Sequence, residues 1–239
     1  MSSIAPFAAL ARADFANIAR DPLLAGGAVM SLLPALLLAF FGHALETFGI
    51  DQFGYAGFAR AASAFALMLP PALLGWIFGF LLIEDRDDGV LLALEITPLG
   101  KTGFIAYRLA AALCLTLIVL FASLPLILPD ESPAFVLAVA LVAGMHAMTT
   151  CLFLVGFAAN KVEGLALTKL VNIAMLAPLL SLAPAPWRWI GGIVPPFWIG
   201  EALGLGADAL SSAAALGLGV GTSAALIAVL YFRARKRLG

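Results

Sequence analysis

Between Arg60 and Glu84 the chain runs for 23 residues without a charge. About 20 apolar residues in a helix cross the roughly 30 Å hydrocarbon core of a bilayer, and a charge placed within it is expensive. Cutting the whole sequence at its charges gives six such stretches: 23–42, 61–83, 109–128, 133–160, 170–182 and 209–232. The first contains Pro34 and follows Pro22. The fifth is short, because Pro184 and Pro186 stand just beyond it.

Composition closes the alternatives. Charged residues make up 11% of the 239-residue chain and hydrophobic residues 63%, whereas a soluble domain carries about 25% charge. There are too few charges to wet a globular surface, and too much apolar content for disorder. Thirteen basic residues against fourteen acidic ones give no bulk attraction for nucleic acid. Cys114 and Cys151 lie within apolar runs, without disulfide or zinc spacing. The expected fold is all-α, a polytopic membrane protein of six transmembrane helices forming a single domain over 1–239.

Six spans put both termini on one side, and basic residues choose the side. Arg12, Arg20, Arg86, Lys101, Arg108, Lys161, Lys169, Arg233, Arg235, Lys236 and Arg237 share the terminal side; Arg60 and Arg188 hold the other. Eleven against two predicts cytoplasmic termini. No stretch reads as a cleavable signal peptide, since 23–42 is too long for an h-region. Ahead of the first span, over 1–22, Phe7, Leu10, Phe15 and Ile18 fall near one helical face. Arg12, Asp14 and Asn17 are expected elsewhere on the helix, which suits an interfacial helix ended by Pro22.

The connection between the second and third spans, 84–108, has the most unusual pattern. Glu84-Asp85-Arg86-Asp87-Asp88 is followed by Gly89 and then Val90, Leu91, Leu92, Ala93, Leu94 and Glu95, with Thr97-Pro98 beyond. Asp88 can N-cap a short helix over 89–96, and Pro98 stops it. That helix is too short to cross a bilayer, so Val90, Leu91, Leu92 and Leu94 are expected to stay partly uncovered, as a docking surface does. The alternative is a helix packed on its own spans. An EF-hand fails here, because counting from Asp85 puts Gly89 at position five and Ile96 at twelve. Gly100-Lys101-Thr102 imitates the end of a phosphate-binding loop, but Glu95 stands where the earlier glycine is required.

These residues resemble the permease subunits of type-2 ABC exporters. The pattern Glu84-Asp85-x-x-x-Gly89-x-Leu91-x-x-Leu94-x-x-Thr97-Pro98-Leu99 is similar to their coupling loop. Asp14-x-x-Asn17-Ile18-x-Arg20-Asp21-Pro22 resembles their connecting helix. Pro184, Pro186, Pro195 and Pro196, with Trp187, Trp189 and Trp198 within 183–208, resemble their bent outer helices. The resemblance implies export of a hydrophobic or amphipathic substrate, drug-like or lipid, from the cytoplasm across the cell (inner) membrane. Asp85, Asp88, Gly89, Leu91, Leu92, Leu94 and Glu95 would meet a cytoplasmic ABC ATPase subunit. That partner would bind the ATP, leaving this chain with no cofactor of its own, no catalytic residue and no metal. A homodimer would frame the path. The short outer segment is closest to bacterial drug-type exporters, with the haem-exporter permease as a near neighbour.

Other residues keep rival functions in view. His146, mid-span beside Thr149 and Thr150, is either a neutral imidazole bonded between helices or part of a substrate path; a secondary transporter or channel would also use such a group. His43 reads as interfacial. An intramembrane enzyme would need acids at matched depth, or Ser123 set against His146, and the spans contain no acid. Lys169 and Asn172 are expected at the cytoplasmic start of the fifth span, Glu201 and Asp208 in water, and Trp187, Arg188 and Trp189 at the outer interface. Gly217 and Gly221 form G-x-x-x-G, expected to pack within the subunit, with a dimer seam as the alternative.

Overall fold

The computed structural model describes residues 5–94 and 100–238; those residues are helical or in turns, with no strand among them. Six helical stretches are long and apolar enough to cross a membrane: Pro22–Phe53, Phe58–Asp87, Gly100–Ile127, Pro133–Phe157, Lys161–Leu182 and Ser212–Leu238. The expected all-α, six-span membrane fold is present.

Prolines set the breaks. Helix α1 (Ala5–Arg20) ends at Asp21, whose Oδ1 accepts from Leu23 N at 2.9 Å and Leu24 N at 3.3 Å and so caps α2 (Pro22–Met30). The first span then restarts as α3 (Leu33–Phe53), because Pro34 has no N–H to give and its ring opposes the carbonyl four residues back. The second span is divided for the same reason, which the reading of 61–83 as one rod overlooked. Helix α4 (Phe58–Ala66) stops before Pro70 and Pro71, and α5 (Leu69–Asp87) begins there. On the face away from the termini, the α3–α4 turn is tied by Glu46, whose carboxylate accepts from Gly57 N at 2.6 Å and Ala59 N at 2.9 Å.

Short helix α6 (Val90–Leu94) follows α5, and then come α7 (Gly100–Ile127), α8 (Pro133–Phe157) and α9 (Lys161–Ala174). Two boundaries differ from the reading of the sequence. Helix α7 starts well before residue 109, so Arg108 lies inside it; α9 starts at Lys161, so Lys169 and Asn172 lie along the span and not at its start. Asn160 and Glu163 explain the second case. Asn160 Oδ1 accepts from Glu163 N at 2.9 Å, and Glu163 Oε2 accepts from Ala159 N at 2.7 Å, a reciprocal capping box.

Helix α8 is the axis of the bundle, with α5, α7 and α11 (Ser212–Leu238) packed on it. Its closest partner is α5, through Gly75 and Gly79. A Cβ at Gly75 would collide with the Ala147 carbonyl oxygen and stand 2.8 Å from Thr150 Cβ; one at Gly79 would stand 3.1 Å from Leu154 Cδ1. This is a G-x-x-x-G face in use, letting two backbones approach closely where apolar burial gives no preference over lipid. The expected packing pair behaves otherwise. Neither Gly217 nor Gly221 has any atom within 4 Å of a Cβ position, whereas Gly219 between them meets Val142 and Trp198.

Beyond α9 the chain bends through 3₁₀ turns at Ala177–Leu182 and Trp187–Ile193 into α10 (Phe197–Ala202). Glu201, expected in water, is completely buried, and Arg188 is buried with it. Arg188 Nε stands 3.7 Å from Glu201 Oε1, its Nη2 donates to the Asp208 carbonyl, and Glu201 Oε2 accepts from Leu210 N at 3.1 Å. The pair closes the far end of the bundle; the Asp208 side chain does face outward. Arg60 works nearby, donating from Nε to Leu203 O at 2.7 Å and pairing with Glu131. Val171 of α9 separates two hollows. One of about 150 Å³ faces α5, where Trp76 is part of the wall and its Nε1 has no partner. The other faces α8 and α11.

These glycines behave differently under one substitution. Gly75→Ala should force α5 from α8 at about 1–3 kcal/mol, read as a lower Tm of the detergent-solubilised protein. Gly221→Ala should leave the Tm of the single chain unchanged.

Candidate functional site

The run Glu84 to Asp87 continues α5 as a helix and does not form a loop, with Asp88 at its end. Most of its charges are directed inward, at neighbouring helices. Glu84 pairs with Lys161 at 2.9 Å. Arg86 donates to the carbonyls of Ala158 at 3.1 Å and Ala159 at 2.7 Å, placing a cation on the exposed C-terminal end of α8. Asp87 pairs with Arg86 at 2.9 Å. Asp88 ends α5 and does not cap α6. Gly89, at φ 73°, turns the chain, and its carbonyl accepts from Leu92 N and Ala93 N, starting α6 at Val90.

Asp85 belongs to a buried joint. Arg108 of α7 is 3% exposed; its Nη2 bonds Asp85 Oδ2 at 2.6 Å and its Nη1 pairs with Asp14 Oδ1. Tyr107 Oη donates to Asp14 Oδ2 at 2.8 Å, and the Arg108 guanidinium lies 5.0 Å from the Phe104 ring centroid. Three helices, α1, α5 and α7, are thereby fastened by one cation and two carboxylates. Asp14 was expected away from the apolar face of α1, but it is buried there. Leu10, Asp14 and Ile18 are four residues apart, and a step of four keeps a helix on one face. Leu10 and Ile18 pack against the core, while Phe15 is 75% exposed. The side chain of Phe7 lies outside the described residues.

The short helix divides the residues assigned to docking. Leu91, expected to be uncovered, is 2% exposed and packs into the core with Leu81 and Phe104. Leu92 is 66% exposed and Val90 39%, beside exposed Asp87 and Asp88. Residues one apart on a helix face about 100° from each other, so Leu91 anchors α6 and its neighbours look out. Leu94 ends the described part of α6 and its side chain, like Glu95 with Thr97 and Pro98, lies outside the described residues. A hollow of about 680 Å³ lies between α6 and the α1–α2 junction, with Asn17, Arg20, Glu84 and Val90 on its walls. His146 is elsewhere, buried midway along α8.

The sequence carried a signal for Arg108 that the reading missed: it sits between Phe104, Ile105 and Leu109, with no run of polar residues around it. Among the described residues no cluster of His, Cys, Asp and Glu has the makings of a metal site.

The joint holds one positive and two negative groups, which ranks its variants. Arg108→Gln strands two buried carboxylates and should cost about 3–5 kcal/mol. Asp85→Asn leaves a balanced Arg108–Asp14 pair and should cost far less. Thermal unfolding of the purified variants checks that order.

Comparison with known proteins follows the same stretch of chain. The pattern of a family described as "Fluoroquinolones export permease protein Rv2686c-like" matches residues 14–231. Two relatives from Mycobacterium tuberculosis, the fluoroquinolones export permease proteins MT2760 of strain CDC 1551 / Oshkosh and Rv2686c of strain H37Rv, are each 30% identical over 210 residues. The alignments cover 84% of this chain and 82% of each relative. No solved structure matches. The match begins at Asp14 and runs through both the buried joint and α6, and this multi-pass membrane protein belongs to the Rv2686c-like family of export permeases.

Proposed function

We propose that the chain is the membrane subunit of an ATP-driven exporter, with a separate cytoplasmic ABC ATPase as its motor. One observation supports this reading above the others: α6 is anchored by Leu91 and presents Leu92 and Val90, rimmed by Asp87 and Asp88, to the outside. An apolar centre with a charged rim is the common anatomy of a protein interface. The ATP would be bound wholly by the partner, and this chain would need no cofactor. Asp85 moves from a docking role to an internal one. Asp88, Gly89, Leu92 and, beyond the described part of α6, Glu95 remain as the contact, with Leu91 as its support.

The cargo in this reading is a drug-like amphipathic molecule, as the name of the relatives suggests. Two copies would frame the path, since six spans form half of a two-sided transporter. The second span is enclosed, 83% of its apolar window being buried, while the first is 22% buried and the sixth 28%, leaving wide faces for a second copy and for lipid. The termini and α6 would face the cytoplasm of a cell (inner) membrane, following the excess of basic residues on that side.

The mechanism is mechanical. Closure of the ATPase pair pushes α6; Leu91 passes the displacement to α5, and the Asp85–Arg108–Asp14 joint passes it to α7 and α1. The spans then exchange an inward for an outward opening. In such a scheme the membrane subunit does no bond chemistry, and the rate depends on how stiffly the joint carries force.

Leu92→Asp should abolish co-purification with the ATPase and nucleotide-driven drug export, with folded yield and Tm kept. Leu91→Asp should instead lower folded yield, because it buries a carboxylate. Drug export by the reconstituted chain under a proton gradient without nucleotide, or no effect of Leu92→Asp on ATPase association, would overturn the proposal.

A further inference from the structure

A cavity of about 220 Å³ opens between α8, α9, α11 and the far-face segment. Phe153, Val171, Leu226 and Leu230 give it apolar walls, and His146, Thr149 and Thr150 are the polar members. No Asp, Glu, Lys or Arg is among the residues that line it. Leu170, also on its wall, is 52% exposed on the outer side of α9, so the cavity communicates with the lipid side of the bundle. An apolar cavity of about 150 Å³ is enough to hold benzene, which makes this one the right size for a fused pair of aromatic rings.

Two of the three polar residues are buried without full satisfaction. His146 is 6% exposed and Thr150 2%, and neither His146 Nε2 nor Thr150 Oγ1 has a hydrogen-bond partner. Buried polar groups left in that condition are costly, and they call for an occupant. The neighbouring threonine fixes what the imidazole offers. Thr149 Oγ1 lies 2.8 Å from the His146 carbonyl and 3.2 Å from His146 Nδ1. Its single hydroxyl hydrogen goes to the carbonyl, the closer and stronger acceptor, so the Nδ1–Oγ1 contact requires the hydrogen on Nδ1. That leaves Nε2 as a bare acceptor with no donor among the described residues.

We infer that this cavity is a binding site for an uncharged, flat aromatic molecule of one or two rings, taken from the membrane, whose N–H or O–H donates to His146 Nε2 beside the Thr150 hydroxyl. Calling that molecule a cargo rests on the export reading; its binding does not. The bare nitrogen supplies selectivity, since a ring system without a donor fills the same space and leaves Nε2 unsatisfied. The missing cationic and anionic wall residues select the neutral form of any ionisable ligand.

The protein contains two histidines, which makes the test direct. The full chain, labelled with ¹⁵N-histidine in lipid nanodiscs, is titrated with 2-naphthol and separately with 2-methoxynaphthalene, a matched body without a donor. The expected result is an Nδ1–H tautomer at His146 and a saturable shift of its Nε2 with 2-naphthol. Binding should be at least tenfold weaker with the ether, and His43, exposed on α3, should not move. Ala174→Leu, which fills the cavity from α9, should weaken 2-naphthol binding at least tenfold, and Thr150→Val should weaken it several-fold. Histidine spectra of both variants without probe report whether the fold is kept. Should either variant fail to fold, the naphthol-to-ether ratio on the native chain decides alone. A non-saturable shift, equal affinity for both probes, or full affinity in folded Ala174→Leu would overturn the inference. ATPase association is measured separately. Its loss with probe binding intact removes the ATP-driven reading and leaves the cavity, while the reverse removes the cavity and leaves the motor.

Discussion

A single guanidinium holds the terminal end of this bundle together. Arg108 is enclosed between two carboxylates that belong to different helices, and without it both would be left buried and uncompensated. The arrangement specifies geometry more than it adds stability. A long cation reaching both Asp14 and Asp85 fixes where α1 lies against the spans and how α5 and α7 are aligned. With those helices set, α6 has one place to go. Leu91 drops into the core beside Leu81 and Phe104, and the outward face of α6 follows from that anchor.

The far end is governed by the same rule with different residues. Arg188 and Glu201 are 13 positions apart, one in the 3₁₀ turn Trp187–Ile193 and the other on α10, and the bend between them makes them partners. Arg188 also donates to the Asp208 carbonyl, and Glu201 also accepts from Leu210 N. Both ends of the bundle therefore use buried ion pairs with extra hydrogen bonds, while the middle relies on glycine contacts between α5 and α8. In the proposed scheme, force applied at α6 would meet buried ion pairs at both ends and close glycine packing along the α5–α8 seam. Hollows lie on two sides of α9 and, at the terminal end, between α6 and the α1–α2 junction.

The number and approximate place of the spans could be read directly, because a bilayer tolerates so few sequences. Charges misled the reading at span edges. Arg108 and Lys169 were taken as boundaries, although a helix continues past a charge that is paired or can reach water. Identical glycine motifs had opposite roles, since spacing gives the face of a helix but not what lies opposite: Gly75 and Gly79 meet α8, and Gly217 and Gly221 meet nothing among the described residues. Glu201 could not be read as buried, because its partner comes from a turn whose path no local pattern encodes. The short helix after Gly89 was legible in position; the end expected for it lies outside the described residues. Its division into an inward Leu91 and an outward Leu92 depended on Gly89 starting the helix one residue later than the Asp88 cap would have done.

Val171 is a wall common to two voids, one toward Trp76 and one toward His146. The fifth span therefore has open volume on two of its faces, and a single side chain is a wall of both, so whatever displaces Val171 reshapes the two voids together.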